Sequence, residues 1–187
     1  TSAQSALVPG KQLDLIRELR PKAARVALLW NPANAVFQEQ SLHEARAGAQ
    51  RLGIELRLFG APAPVEIDRT IAAIAAAKPD AVMVLGDPMF VANARRIGER
   101  LREHRLLAVG GTGAFAPAAM LAVYGPDLAE SARRSATYVD RILKGARPGD
   151  LPVELETKYV LVIHAGTARA LGVAVPPALL ARADEVI

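Results

Sequence analysis

The chain has 187 residues, of which 51% are hydrophobic and 4% aromatic, with 23 Lys and Arg against 19 Asp and Glu for a net charge of +4. That length builds a sizeable core as one domain or two small lobes, and the apolar fraction excludes a disordered chain. The positive excess is mild and scattered, with no basic block interleaved with aromatics, so no nucleic-acid partner is expected. Cysteine is absent, which excludes disulfides, thiol catalysis and a zinc–thiolate site. No apolar run is long enough to span a membrane, and no signal peptide is legible.

Residues 1–9 read as a lead-in. A helix is predicted over Lys11–Arg20, stopped by Pro21. Val26–Trp30 is a continuous apolar strand that ends in the turn signal Asn31-Pro32-Ala33-Asn34. Ala35–Leu52 is helical, and Gly53 ends it. Ile54, Leu56 and Leu58 alternate with Glu55 and Arg57, as in an edge strand or one with an exposed face. Val65–Ala77 is helical. A buried strand then runs from Ala81 to Leu85, with a helix over Met89–His104 and a short strand over Leu106–Val109.

The strand onsets near residues 26, 54, 81 and 106 recur at the length of a β–α unit. The spacing predicts a three-layer α/β fold, a mostly parallel sheet flanked by helices on both faces. The rhythm breaks after Gly113. Ala114–Ala119 reads as loop or short turn, and Met120–Tyr124 as an apolar strand. Leu128–Lys144 reads as a long helix with Ala132, Ala136, Val139 and Leu143 turned inward. Glu154–Ile163 reads as extended, Thr167–Leu171 as helical turns, and Val173–Leu180 as irregular up to a last short helix. The expected organisation is a lobe of four β–α units over residues 1–113. Residues 114–187 then cross and return, packing on that lobe or forming part of a second one.

The organising stretch is Asp80-Ala81-Val82-Met83-Val84-Leu85-Gly86-Asp87-Pro88, an apolar run that hands a carboxylate to the carboxyl end of a parallel strand. Asp87 there accepts hydrogen bonds from a ligand amine or hydroxyl, or caps the helix that Pro88 opens. Trp30, Asn31 and Asn34 end the first strand on the same edge. They either stack on and fix a ligand, or form a core tryptophan and an Asn-Pro turn. Tyr124, before Gly125-Pro126-Asp127, repeats the geometry, with Asp127 as the alternative helix cap. Gly110-Gly111-Thr112-Gly113 matches no phosphate-binding pattern, and reads as a hinge or site-lining loop that needs unusual dihedrals. The three histidines lie far apart, and no spacing matches a metal set or a nucleophile elbow, so no cofactor and no catalytic constellation is expected.

Several segments in order resemble the solute-binding component of a group of ABC transporters. They are Gly10-Lys11-x-Leu13-x-Leu15, Arg25-Val26-Ala27-Leu28-Leu29-Trp30-Asn31-Pro32-Ala33-Asn34, the Asp80–Phe90 run, Tyr124-Gly125-Pro126-Asp127, the Ala136–Pro148 run, Leu151-Pro152-Val153-Glu154 and the Ala178–Ile187 run. Gly86 stands where the family often has Pro. The resemblance implies a type I periplasmic-binding fold, with two lobes joined by crossing strands and ligand held between them. The chain then corresponds to the second lobe plus the crossing segments, without a leading signal and first lobe. It further implies a small-molecule ligand such as an aromatic or branched amino acid, an ABC permease as partner, and a periplasmic or extracytoplasmic location. By position, Trp30, Asn31 and Asn34 resemble a cleft loop, Asp87 the residue that meets a ligand amine, and Tyr124 a crossing-segment contact. A lone lobe is expected to expose surface and form a homo-oligomer. The alternatives are a ligand-sensing regulatory module of the same fold and a small α/β enzyme.

Overall fold

The computed structural model describes residues 8–152 and 158–187. Its first half follows the predicted rhythm of strand and helix. Helix α1 (Val8–Leu19) leads into β1 (Arg25–Trp30), α2 (Ala35–Leu52) and β2 (Glu55–Gly60). Then come α3 (Ile67–Ala76), β3 (Ala81–Val84), α4 (Pro88–Ala92), α5 (Ala94–Glu103) and β4 (Ala108–Gly110). The second half holds β5 (Ala122–Pro126), α6 (Leu128–Leu143), β6 (Tyr159–Ile163), α7 (Ala165–Leu171), α8 (Pro177–Arg182) and β7 (Glu185–Val186).

The strands form one seven-stranded sheet in the order β2-β1-β3-β4-β5-β6-β7. Pairings from β2 through β5 are parallel, β5 and β6 are antiparallel, and β6 and β7 are parallel. The mostly parallel three-layer α/β architecture is therefore as expected. Each strand divides its side chains between two cores. Leu28, Met83, Val109 and Ile163 face α1 and α2, while Leu29, Val84, Ala108 and Val162 face α3 and α5. A sheet covered on both faces needs strands apolar throughout, which is why β1 and β3 read as unbroken hydrophobic runs. Asp80 ties the start of β3 to that of β1, its Oδ2 accepting from the Ala24 and Arg25 amides at 2.8 Å each. Burial raises the pKa of this carboxyl, but those two amides and the nearby Arg25 and Arg20 charges outweigh it and leave the pKa lowered.

Several boundaries differ from the periodicity, each for a local reason. Helix α1 begins at Val8, inside the expected lead-in, because Val8 and Pro9 are buried against the body. Pro64–Glu66 is a 3-10 turn before α3. The helix expected over Met89–His104 breaks at Asn93, whose φ of −110° and ψ of 17° leave the helical region. Gly113–Ala118 is a 3-10 turn capped by Thr112. Strand β7 was not expected, since two residues carry no readable alternation. Of the extended segment expected over Glu154–Ile163, residues 154–157 lie outside the described residues.

Two expectations are overturned. The Gly110–Gly113 run needs no unusual dihedral, for its glycines are not among those with positive φ. Crowding requires them instead: a Cβ at Gly111 would lie 2.9 Å from the Val84 carbonyl, and one at Gly125 would lie 2.4 Å from the Gly111 carbonyl. Helix α6 turns none of its residues inward; Ala132 and Ala136 are exposed, as are Val139 at 56% and Leu143 at 82%. Its amphipathic pattern is real, but nothing among the described residues covers the apolar side.

Helix α5 meets the 3-10 turn backbone to backbone. A Cβ at Gly98 would lie 1.8 Å from the Ala118 carbonyl oxygen, whereas one at Gly166 meets nothing within 4 Å. Gly98→Ala is therefore expected to lower stability by roughly 1–3 kcal/mol through overpacking. Gly166→Ala, in the exposed part of α7, is expected to raise it by about 0.4–1 kcal/mol. Urea unfolding midpoints at unchanged slope check both signs.

Candidate functional site

In the order β2-β1-β3-β4-β5 the strands are all parallel, but the sheet grows one way from β1 to β2 and the other way from β1 to β3 and beyond. The chain leaves β1 for α2 on one face and leaves β3 for α4 and α5 on the other. The loops at the two strand tips therefore part, and open sheets of this kind place ligands in the crevice so formed. Asn31 follows the end of β1 and Asp87 lies just beyond β3, so the sequence puts an amide and a carboxylate on either side of this point.

The two meet. Asp87 Oδ1 accepts from Asn31 Nδ2 at 3.2 Å and from the Met89 amide at 2.9 Å. Its Oδ2 accepts from Asn34 Nδ2 at 2.9 Å and from Gln38 Nε2 at 3.2 Å. Gln38 Oε1 in turn accepts from the Asn31 backbone amide at 3.0 Å, and Asn31 Oδ1 accepts from the Ala33 amide at 3.0 Å. The network is closed and largely dry, with Asn31, Gln38 and Asp87 exposed by 6%, 1% and 3%. A carboxylate offers about four lone-pair sites, and here all four are taken. Asp87 thus caps α4 and also anchors the β1 loop, combining two roles that the sequence presents as alternatives.

The sequence signal missed Gln38. It is i+4 from Asn34 in the first turns of α2, a spacing that places it above the loop amides. Periodicity assigns it to the inward stripe, where a glutamine is conspicuous. Asn34 is half-buried. Its side chain makes no cap to α2 because its Nδ2 is drawn to Asp87, and its Oδ1 accepts no hydrogen bond among the described residues.

Trp30 and Tyr124 lie elsewhere on the edge. Trp30 is partly buried, and packs against the core beneath α1 and α2. Tyr124 packs on the same face but on β5, three strand spacings from β1, or roughly 14 Å across the sheet. It stacks on Tyr159 with centroids 6.0 Å apart and rings inclined by 20°. Burial, then the neighbouring Tyr159 and Asp184, hold its phenol above the ordinary pKa. The structure thus brings Asn31, Asn34 and Asp87 together and sets Tyr124 on a separate part of the rim. Asp127 caps α6, accepting from the Ala129 and Glu130 amides at 3.1 Å each, and pairs with Lys158 at 3.2 Å. The Glu130 amide and Lys158 lower its pKa. His164 holds the 3-10 turn through Ala116 O at 2.7 Å. Among the described residues no group of three or more His, Asp or Glu side chains is arranged to hold a metal ion.

A doubly wound lobe with a polar rim at its switch point defines a class of ligand-binding α/β proteins, and comparison with known proteins narrows it. The sequence profile of the family described as ABC transporter substrate binding protein matches residues 4–187, and the chain belongs to this family. A curated relative, the tyrosine-binding protein of Clostridioides difficile strain R20291, is 23% identical over 163 residues, covering 86% of this chain and 46% of the relative. A conserved domain protein of Vibrio cholerae superposes with a TM-score of 0.85 at 26% identity, over 96% of this chain and 60% of that one. The ABC domain of Streptococcus pneumonia in complex with L-Trp gives a TM-score of 0.84 at 24% identity, over 96% and 62%. The fold matches one lobe of a type I periplasmic binding protein, and the chain spans about half the length of the curated relative it matches.

Asp87→Ala leaves three side-chain amides and the Met89 amide without their acceptor. It is expected to cost roughly 2–4 kcal/mol of stability, because the stranded donors are buried. Asn34→Ala, which removes one donor at a half-buried position, is expected to cost no more than about 1.5 kcal/mol. Denaturant titration of the two variants measures the gap; equal losses would remove Asp87 as the anchor.

Proposed function

We propose that this chain is the ligand-holding second lobe and crossing segments of a solute-binding protein of an ABC importer. It acts without catalysis, and takes an amino acid with an aromatic side chain into the cleft between two lobes. The carrying observation is the buried Asp87 network at the switch point, which fixes the β1 loop and leaves Asn34 Oδ1 unengaged at the rim. In this reading Asp87 acts as the anchor that orients the amides. Asn34 offers an acceptor to the ligand ammonium, and Trp30 and Tyr124 supply aromatic surface. Two relatives described as binding tyrosine and as holding L-Trp support the ligand class. Closure over the ligand follows from its greater affinity for the closed arrangement. The partner is then an ABC permease, and the location is periplasmic or extracytoplasmic.

The division into a lobe over residues 1–113 and crossing and return segments over 114–187 belongs to the same proposal. What supports it is α6, a 16-residue helix with no buried residue and with Leu128, Val139, Ile142 and Leu143 exposed. In the whole protein the first lobe covers this side.

Titration calorimetry of the full-length protein with L-tyrosine and L-tryptophan tests the reading. Both are expected to bind, and Asn34→Ala and Trp30→Ala are each expected to weaken binding by about tenfold or more. Absence of heat with either amino acid would defeat the ligand class. For the 187-residue chain alone, light scattering is expected to show concentration-dependent association through α6. Val139→Ser with Leu143→Ser is expected to suppress it, and a monomer at high concentration would contradict this use of the helix.

A further inference from the structure

Among the described residues, two buried side-chain polar atoms lack a hydrogen-bond partner: Gln12 Oε1 and Tyr159 Oη. They are complementary, since an amide oxygen only accepts and a phenol donates. They also flank the same residue. Gln12 is fully buried on α1, and its Nε2 donates to the Tyr124 carbonyl at 3.2 Å. The Tyr159 ring stacks on the Tyr124 ring, with centroids 6.0 Å apart. The register puts Tyr124 opposite Leu161, so Tyr124 and Tyr159 sit two residues apart on one face of the β5–β6 pair.

A buried orphan group costs about 1–3 kcal/mol, and two of opposite character that both contact Tyr124 are satisfied together by an arrangement that joins them. The parts that would move are identifiable. The tip of β5 and β6 carries α6, which has no buried residue, so α6 itself moves without breaking a core contact. Helix α1 is the fixed side, with Leu13 and Ile16 fully buried. Tyr159 also stands at the start of β6.

We propose that Gln12 and Tyr159 are positioning residues that form a latch: the Tyr159 hydroxyl donates to Gln12 Oε1 when ligand closes the cleft, and the bond is absent in the arrangement described above. The proposal rests on the reading of this chain as half of a ligand-closing protein. The latch touches no ligand. It contributes to affinity because its bond exists only in the closed state, which ligand selects.

The test uses the full-length protein with Tyr159→Phe, Gln12→Met and the double variant. L-tyrosine and L-tryptophan affinities are measured by calorimetry, and closure by the ligand-induced change in radius of gyration in X-ray scattering. Each single variant is expected to weaken binding by about tenfold, as loss of one buried hydrogen bond does. The double variant is expected to be no weaker than the weaker single variant. Tyr159→Phe is expected to raise the melting temperature of the unliganded protein, since it removes a buried hydroxyl that is unbonded there, and to reduce the stabilisation conferred by ligand. Additive losses, unchanged affinity, or an equal loss of stability with and without ligand would each overturn the latch. Wild-type protein that binds neither amino acid defeats the functional reading and the latch with it. Wild-type protein that binds and closes, with variants that close equally, defeats the latch alone.

Discussion

A carboxylate withdrawn from water needs its lost hydrogen bonds replaced, and the uncompensated cost is several kcal/mol. Asp87 is 3% exposed and receives four hydrogen bonds from neutral donors on three segments: the β1 loop, the start of α2 and its own helix α4. That demand fixes the rim of the crevice. Asn31 cannot rotate without releasing both Asp87 and Ala33, and Gln38 cannot leave without freeing the Asn31 backbone. The loop at the switch point is therefore held by polar geometry as firmly as the sheet below it is held by apolar contact. A rim held in this way leaves Asn34 as its one half-buried amide, tied by a single side-chain hydrogen bond to Asp87.

The rest of the carboxyl edge is set by crowding. Gly86, Gly111 and Gly125 come from three successive strand tips, and at Gly111 and Gly125 the neighbouring backbone stands where a Cβ would be. Close tips bring β4 and β5 into contact range of Gln12 on α1. The glycine run is a packing requirement of the sheet edge, distinct from the polar rim at β1 and β3. Tyr124 belongs to this second region.

The two cores and the α6 arm differ in what covers them. Helices α1, α2, α3 and α5 bury their stripes on the sheet. Helix α6 has an equally clear stripe and buries none of it. An amphipathic helix of this length gains most of its stability from packing, and among the described residues no surface supplies that packing for α6.

The strands, the helices and the parallel three-layer plan were legible because they follow from local patterns: unbroken apolar runs, helical stripes, Gly53 in the left-handed conformation after α2, and prolines after helices. The placing of Asn31 and Asp87 at strand tips was legible for the same reason. Their meeting was not, because it depends on β3 lying beside β1 instead of beside β2, and strand order leaves no mark on periodicity. Gln38 went unseen as a site residue for a related reason: a stripe says which side of a helix turns inward, and only the opposing loop says whether an amide there has a carboxylate to meet. The stripe of α6 marks the limit of such reasoning. Sequence determined that Val139 and Leu143 share a face with Ala132 and Ala136, while burial needs a second surface, and only the tertiary arrangement could say whether one was present.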